Sequence, residues 1–243
     1  MPIAPLWGNK GVVRPVAGGV VSFDNHPDPD GGLLLLTRHG ESEGNARNIF
    51  TGLLDLPLTD RGRQEALNTA CLLQRSAINP DIVFSSALRR ALGTAEIIIA
   101  ALALDVPLID TPALNERDYG VLTGHRKDLP VPGIDPDQVW RWRRSFNGRP
   151  TNGESLEDTE SRVGAYYDRA IAPQLTGGRA VLVVAHGNSL RALLTKLRHL
   201  TPLQIEDLEI GTGEIIAFAT SRGAITSRLA HIDPTERSRI FTL

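Results

Sequence analysis

Cysteine occurs once in 243 residues, at Cys71 within an apolar helical pattern, so no intramolecular disulfide and no Cys-His metal cluster can form. A lone thiol fits a reducing compartment, and the expected location is cytoplasmic. Long apolar runs are also missing, since none approaches the roughly 20 residues that a membrane-spanning helix needs. The first residues lack the charged start, apolar centre and small-residue cleavage site of a secretory signal. Lysine is scarce, three against 23 arginines, and acids and bases nearly cancel to a formal charge of -2. That balance removes the simple case for a nucleic-acid or polybasic membrane binder. Neither a Gly-x-x-x-x-Gly-Lys loop nor a dinucleotide fingerprint is present, so nucleoside triphosphate and nicotinamide cofactors lack support.

What is present describes an ordinary globular chain, 41% apolar and 22% charged, long enough for one large α/β domain. Residues 1–32 read as an irregular N-terminal extension rich in Pro and Gly, with short strands expected at 12–13 and 16–23. From residue 33 to 243 strands alternate with helices. Leu33-Leu34-Leu35-Leu36 is a continuous apolar run of the kind that a strand buried on both faces shows. A helix is expected over 59–77, capped by Thr59, with Ala66, Ala70, Leu73 and Ala77 on one face. A strand at 81–84 and a mostly buried helix at 88–103 follow. Next come a short basic helix opened by Pro136 and running to Phe146, and a helix over 155–171 opened by a Ser155–Asp158 capping arrangement. Residues 180–185 form the strongest strand, and a helix is expected over 189–199. Two closing strands, 214–220 and 225–230, flank a Ser221-Arg222-Gly223 turn. This order implies an α/β, three-layer sandwich with a mostly parallel central sheet flanked by helices.

Two of these strands share a grammar. The first runs into Thr37-Arg38-His39-Gly40 and the strongest into His186-Gly187-Asn188, so each buried strand ends in a His followed by Gly. Ligands of open α/β sheets bind beyond the carboxyl ends of the strands, where two such histidines can face one pocket. The Gly after each His is expected to let the backbone approach a ligand closely. Arg89-Arg90, after Ser85-Ser86, ends a third strand, and Arg143-Arg144 lies on the short basic helix. Either pair alone reads most simply as a solvated helix face. Taken with Arg38, they form a trap for an anion of high charge density, with phosphate the natural candidate. Glu116, in Leu114-Asn115-Glu116-Arg117, is either an ion-pair strut or a proton carrier among these cations.

Arg38-His39-Gly40-Glu41-Ser42, then Asn45, Phe50-Thr51-Gly52, Asp55, Pro57-Leu58 and Gly62, resemble the N-terminal signature of the 2,3-bisphosphoglycerate-dependent phosphoglycerate mutase family. That family lies within the histidine phosphatase superfamily. Further blocks resemble it in the same order: Leu114 to Arg117 with Tyr119-Gly120 and Lys127, Trp142-Arg143-Arg144-Ser145-Phe146, Glu154-Ser155-Leu156 with Arg162, and Ala185 to Ala192. The resemblance covers residues 33 to about 220. It departs at Gly44, where the family usually has Trp, at Asp118, in the shortened segment after Phe146, and in the C-terminal tail.

The resemblance implies a phosphoglycerate mutase-like fold for residues 33–243 and interconversion of 2- and 3-phosphoglycerate through a phosphohistidine. 2,3-Bisphosphoglycerate would prime the reaction, with no metal. It implies His39, Glu116, His186, Arg38 and Arg90 as catalytic residues. It places Ser42, Asn45, Thr51, Gly52, Arg117, Tyr119, Lys127, Arg143, Arg144, Gly187 and Asn188 at substrate-binding positions. Partners would be a small phosphorylated substrate, no nucleic acid and no membrane, with a homo-oligomer, dimer or tetramer, left open. Two alternatives stand beside it: a phosphatase of the same superfamily acting on small phosphorylated metabolites, and a non-catalytic phosphometabolite-binding module. The Arg pair with Lys127 argues against the first, and intact His39, His186 and Glu116 argue against the second.

Overall fold

The structure is a computed structural model that describes residues 15–16, 20–21, 31–222 and 224–232. Two short strands, β1 (Pro15–Val16) and β2 (Val20–Val21), pair antiparallel as a separate ribbon. The remaining residues of the expected 12–13 and 16–23 strands lie outside the described residues. The main chain then gives β3 (Gly31–Arg38), α1 (Glu43–Ala46), α2 (Asp60–Arg75), β4 (Ile82–Ser86), α3 (Arg89–Ala101) and β5 (Leu108–Thr111). It continues through α4 (Pro136–Arg144), α5 (Leu156–Tyr166), β6 (Ala180–Ala185), α6 (Gly187–Arg198), α7 (Pro202–Glu206), β7 (Ile215–Ser221) and β8 (Ala224–Ile232).

The six-stranded sheet has the order β5-β4-β6-β3-β7-β8. The first four strands run parallel, while β7 and β8 are antiparallel to their neighbours. The expected mostly parallel sheet is therefore present. Strand alternation explains the three layers. In β3, Leu34 and Leu36 enter a core with Val163 and Tyr166 of α5 and Leu190 and Leu193 of α6. Leu33 and Leu35 enter the opposite core with Ala70 and Leu73 of α2 and Ala91, Ala95 and Ile98 of α3. β6 divides the same way, Val181, Val183 and Ala185 to one side and Leu182 and Val184 to the other. A continuous apolar run thus serves two cores at once.

Local signals set most boundaries. Thr59 caps α2 by accepting from the Gly62 N–H at 3.1 Å, and Ser155 and Asp158 close a reciprocal capping box on α5. Pro136 sits in the first turn of α4, behind an Asp135 cap. Several expectations need correction. Ala77 is exposed at φ 52, past the end of α2, and Ile78 takes the buried position instead. Cys71 is exposed. α3 buries one face rather than most of its surface. The helix over 155–171 is α helix only to Tyr166, after which a wider turn spans Tyr167–Ile171. β5 was not anticipated, because its Leu-Ile-Asp-Thr has only two apolar residues and neither alternates nor runs on. Gly223 of the expected closing turn lies outside the described residues.

Candidate active site

Three parallel strands deliver residues to one rim. β3 ends in Arg38 and runs into His39, β4 ends in Ser86, and β6 runs directly into His186. The His39 N–H donates to the Ala185 carbonyl at 3.0 Å, continuing the ladder and bringing the imidazoles together edge to face, 4.9 Å between centroids. His39 is 2% exposed and His186 0%. His39 Nδ1 lies 2.6 Å from the Gly40 carbonyl, which can only accept. That nitrogen therefore carries the proton, and Nε2 keeps a lone pair. Burial above all, then the Arg90 and Arg38 charges, holds the His39 pKa well below 6.5. Burial, Arg90 and His39 do the same to His186.

His186 Nε2 meets Ser86 Oγ at 2.7 Å, while its Nδ1 is buried with no partner among the described residues. Ser86 Oγ also donates to Asn115 Oδ1 at 2.8 Å, so β4 fixes the outer edge of this imidazole. α6 begins at Gly187 with His186 as its cap residue, two residues earlier than expected, which points a helix N-terminus at the two rings.

The cavity around His39 is lined by six cations, Arg38, Arg90, Lys127, Arg143, Arg144 and Arg191, and two carboxylates, Glu116 and Glu209. Among the described residues only Arg144 of the six is ion-paired, to Glu209. Backbone carbonyls aim the inner arginines instead. Arg38 Nη1 donates to Ile210 O at 2.6 Å, and Arg90 donates to Leu54 O at 2.7 Å and Gly52 O at 2.9 Å. Gly52, at φ 50, provides the turn that presents its carbonyl. Burial brings the Arg90 pKa down to about 10 and also lowers that of Lys127. For Glu209 burial works against ionisation, but the Arg144 hydrogen bond together with the charges of Arg144, Arg191 and Arg143 outweighs it and holds the carboxyl below its ordinary range.

Glu116 Oε1 accepts from the Arg117 N–H at 2.8 Å and the Asn188 N–H at 3.2 Å. Asn188 Nδ2 donates to the Tyr119 hydroxyl at 2.9 Å, and Arg191 Nη1 donates to Asn188 Oδ1 at 3.0 Å. Asn45, Thr51, Gly52, Tyr119, Gly187 and Asn188 also line the cavity.

Two expected binding residues do not line it. Ser42 is buried, capping α1 and bonding Asn45 Oδ1 at 2.8 Å, which orients the Asn45 amide. Arg117 is fully buried, stacked 4.8 Å from the Tyr119 ring centre, so it supports that ring from behind. Arg89 points to solvent, because α3 turns its neighbour Arg90 inward. Gly40 answers to packing rather than to a ligand: a Cβ there would fall 2.1 Å from the Gly62 carbonyl oxygen at the start of α2. Sequence reading missed Arg191, Glu209 and Ile210. Arg191 stood three residues past Asn188, one helical turn along, and that spacing could have found it. Glu209 and Ile210 carried no local signal.

Residues 34–232 match the family model of the histidine phosphatase superfamily, branch 1. A 2,3-bisphosphoglycerate-dependent phosphoglycerate mutase of Methylobacterium radiotolerans is 47% identical over 76% of this chain and 88% of its own length. The protein of the same description from Bartonella quintana is 42% identical over 84% of this chain and 100% of its own. Among solved structures, Bacillus stearothermophilus YhfR superposes with a TM-score of 0.75 at 24% identity, covering 84% of this chain and 100% of that one.

Proposed function

The chain belongs to branch 1 of the histidine phosphatase superfamily, and we propose that its cavity works as a two-ended phosphoryl-transfer site. The enzyme is a 2,3-bisphosphoglycerate-dependent phosphoglycerate mutase, interconverting 2- and 3-phosphoglycerate. The observation that carries the two-ended reading is a neutral, buried imidazole set in a cavity whose cations, among the described residues, are largely unpaired by acids.

His39 Nε2 attacks phosphorus in line, forming the P–N bond as the P–O ester bond breaks. Arg38, Arg90 and the Gly187 N–H at the start of α6 face the charge on the equatorial oxygens, and the buried His186 ring packs edge to face against His39. With guanidinium groups in this role, the reading calls for no metal. Glu116 delivers a proton to the leaving alkoxide. In the return half, Glu116 accepts the proton of the other substrate hydroxyl as that oxygen takes the phosphoryl group from His39. Among the described residues both hydrogen bonds to Glu116 fall on Oε1, which leaves Oε2 for the transfer. Lys127, Arg143 and Arg144 hold the remote anionic group, so the bisphosphate stays bound while it reorients.

The test measures isomer formation and phosphate release with and without 2,3-bisphosphoglycerate, together with mass spectrometry of the protein. A phosphohistidine at His39 and primer-dependent isomerisation are expected. His39→Ala should abolish both the isomerisation and the labelling while the fold persists. Labelling that survives in this variant overturns the assignment of the nucleophile.

A further inference from the structure

Glu209 is out of place in an anion-binding cavity. It lines the wall, carries the same charge as the ligand, and forms the ion pair with Arg144 that the other five cations lack among the described residues. Its side chain is 66% exposed, against 27% for Arg144, so it reaches the arginine from the solvent side. Among the described residues, the only other hydrogen bond of the Arg144 guanidinium is a long 3.4 Å one to the Glu206 carbonyl. We propose that Glu209 is an internal stand-in for the remote anionic group of the substrate. It holds Arg144 in the empty enzyme and yields it when a two-ended anion binds. This rests on the two-ended reading of the cavity.

Three observations support the exchange. First, an exposed carboxylate–guanidinium pair is weak, so a multivalent ligand held also by Lys127 and Arg143 displaces it at little cost. Second, the backbone around Glu209 is held independently of its side chain. The Ile210 carbonyl accepts from Arg38 Nη1 at 2.6 Å, the Gly213 N–H donates to the Arg38 carbonyl at 3.0 Å, and Thr69 Oγ1 donates to the Gly213 carbonyl at 2.9 Å. The carboxylate can leave Arg144 without loosening the Arg38 end. Third, α4 packs through Val139 and Trp142 against the cluster around Phe50 and Tyr119, so Arg144 keeps its place without Glu209. Glu209 therefore acts as a specificity-setting residue: ligands with one anionic end gain nothing from Arg144, whereas ligands with two ends replace Glu209 there.

The test is calorimetric titration of the full-length protein and its Glu209→Gln and Glu209→Ala variants with 3-phosphoglycerate and, separately, inorganic phosphate. Both variants should bind 3-phosphoglycerate about five-fold more tightly, with inorganic phosphate unchanged within two-fold. In an Arg144→Ala background, Glu209→Gln should no longer alter 3-phosphoglycerate binding. If Glu209 merely braces α4, both variants bind 3-phosphoglycerate more weakly, which overturns the proposal. An equal gain for both ligands, or a gain that persists without Arg144, also overturns it by showing action through bulk charge. Isomerisation is assayed on the wild type in parallel. Its absence there would sink the mutase reading, while the ligand-dependent shift would still stand.

Discussion

At the scale of single residues, function rests on keeping two histidines uncharged beside arginines. Burial dominates, and the positive neighbours reinforce it, so both imidazoles have pKa values well below 6.5. The sign for stability follows. As pH falls below about 6.5, the unfolded chain takes up protons that the folded histidines refuse, so stability declines from its neutral-pH value. Above that range the two groups impose no such penalty. Imidazole NMR from pH 8 to 5.5 should show no inflection near 6.5 for His39 or His186. An inflection of His39 at 6.5 or above would show that burial and the neighbouring arginines do not hold the nucleophile neutral, contrary to its role. The single Nδ1 bond of His39 matters equally, because it leaves the reactive nitrogen free.

At the scale of elements, the site is divided between a rigid end and an applied one. β3, β4 and β6 supply the rigid end, with His39, Ser86 and His186 fixed by ladder geometry. α4 supplies the applied end: none of its residues is fully buried, and Arg143 and Arg144 stand in its last turn. Replacing both by Ala should therefore spare the fold and the phosphorylation of His39. Mutase kcat/KM should drop about ten- to a hundred-fold for each charge-assisted hydrogen bond to substrate that the change removes. The fraction of turnovers ending in free phosphate should rise. Arg143 has no ion-pair partner among the described residues, whereas Arg144 gives up Glu209 to hold substrate. Arg143→Ala should consequently cost more than Arg144→Ala in a steady-state assay. An unchanged ratio of phosphate release to isomer formation in the double variant would reduce both to a solvated helix face.

At the scale of the whole molecule, the family match begins at residue 34 and the central sheet at Gly31. Among the described residues, everything that lines the cavity falls between Arg38 and Ile210. We therefore take residues 1–30 as an addition to the catalytic unit, with its β1–β2 ribbon pairing within itself. Deleting residues 1–30 should leave the thermal midpoint within a few degrees and kcat/KM within about two-fold. The cut stops short of Gly31 and Gly32 because the Gly32 carbonyl accepts from Thr220 Oγ1 at 3.0 Å. A large loss of activity or soluble yield would show that the extension packs on the domain. No helix among the described residues is long and apolar enough to cross a membrane.

The sequence alone determined the α/β alternation, the central strands and their His-Gly ends, because a doubly buried strand must be continuously apolar and its turn must follow at once. It also determined the Thr59 and Ser155 caps, where side chain and backbone lie three residues apart. The edge strand β5 was illegible, since an edge strand can carry Asp110 without cost and so loses its pattern. Sequence spacing could not separate Arg90 from Arg89, or Asn188 from Arg117, because facing the cavity depends on how α3 and the 115–119 loop dock. Glu209 is the clearest case. It lies 65 residues from Arg144, and only the return of the chain after α7 along the Arg38 backbone brings the two charges together. Local chemistry thus fixed which residues could act. Tertiary packing, through non-local hydrogen bonds that no periodicity encodes, decided which of them meet.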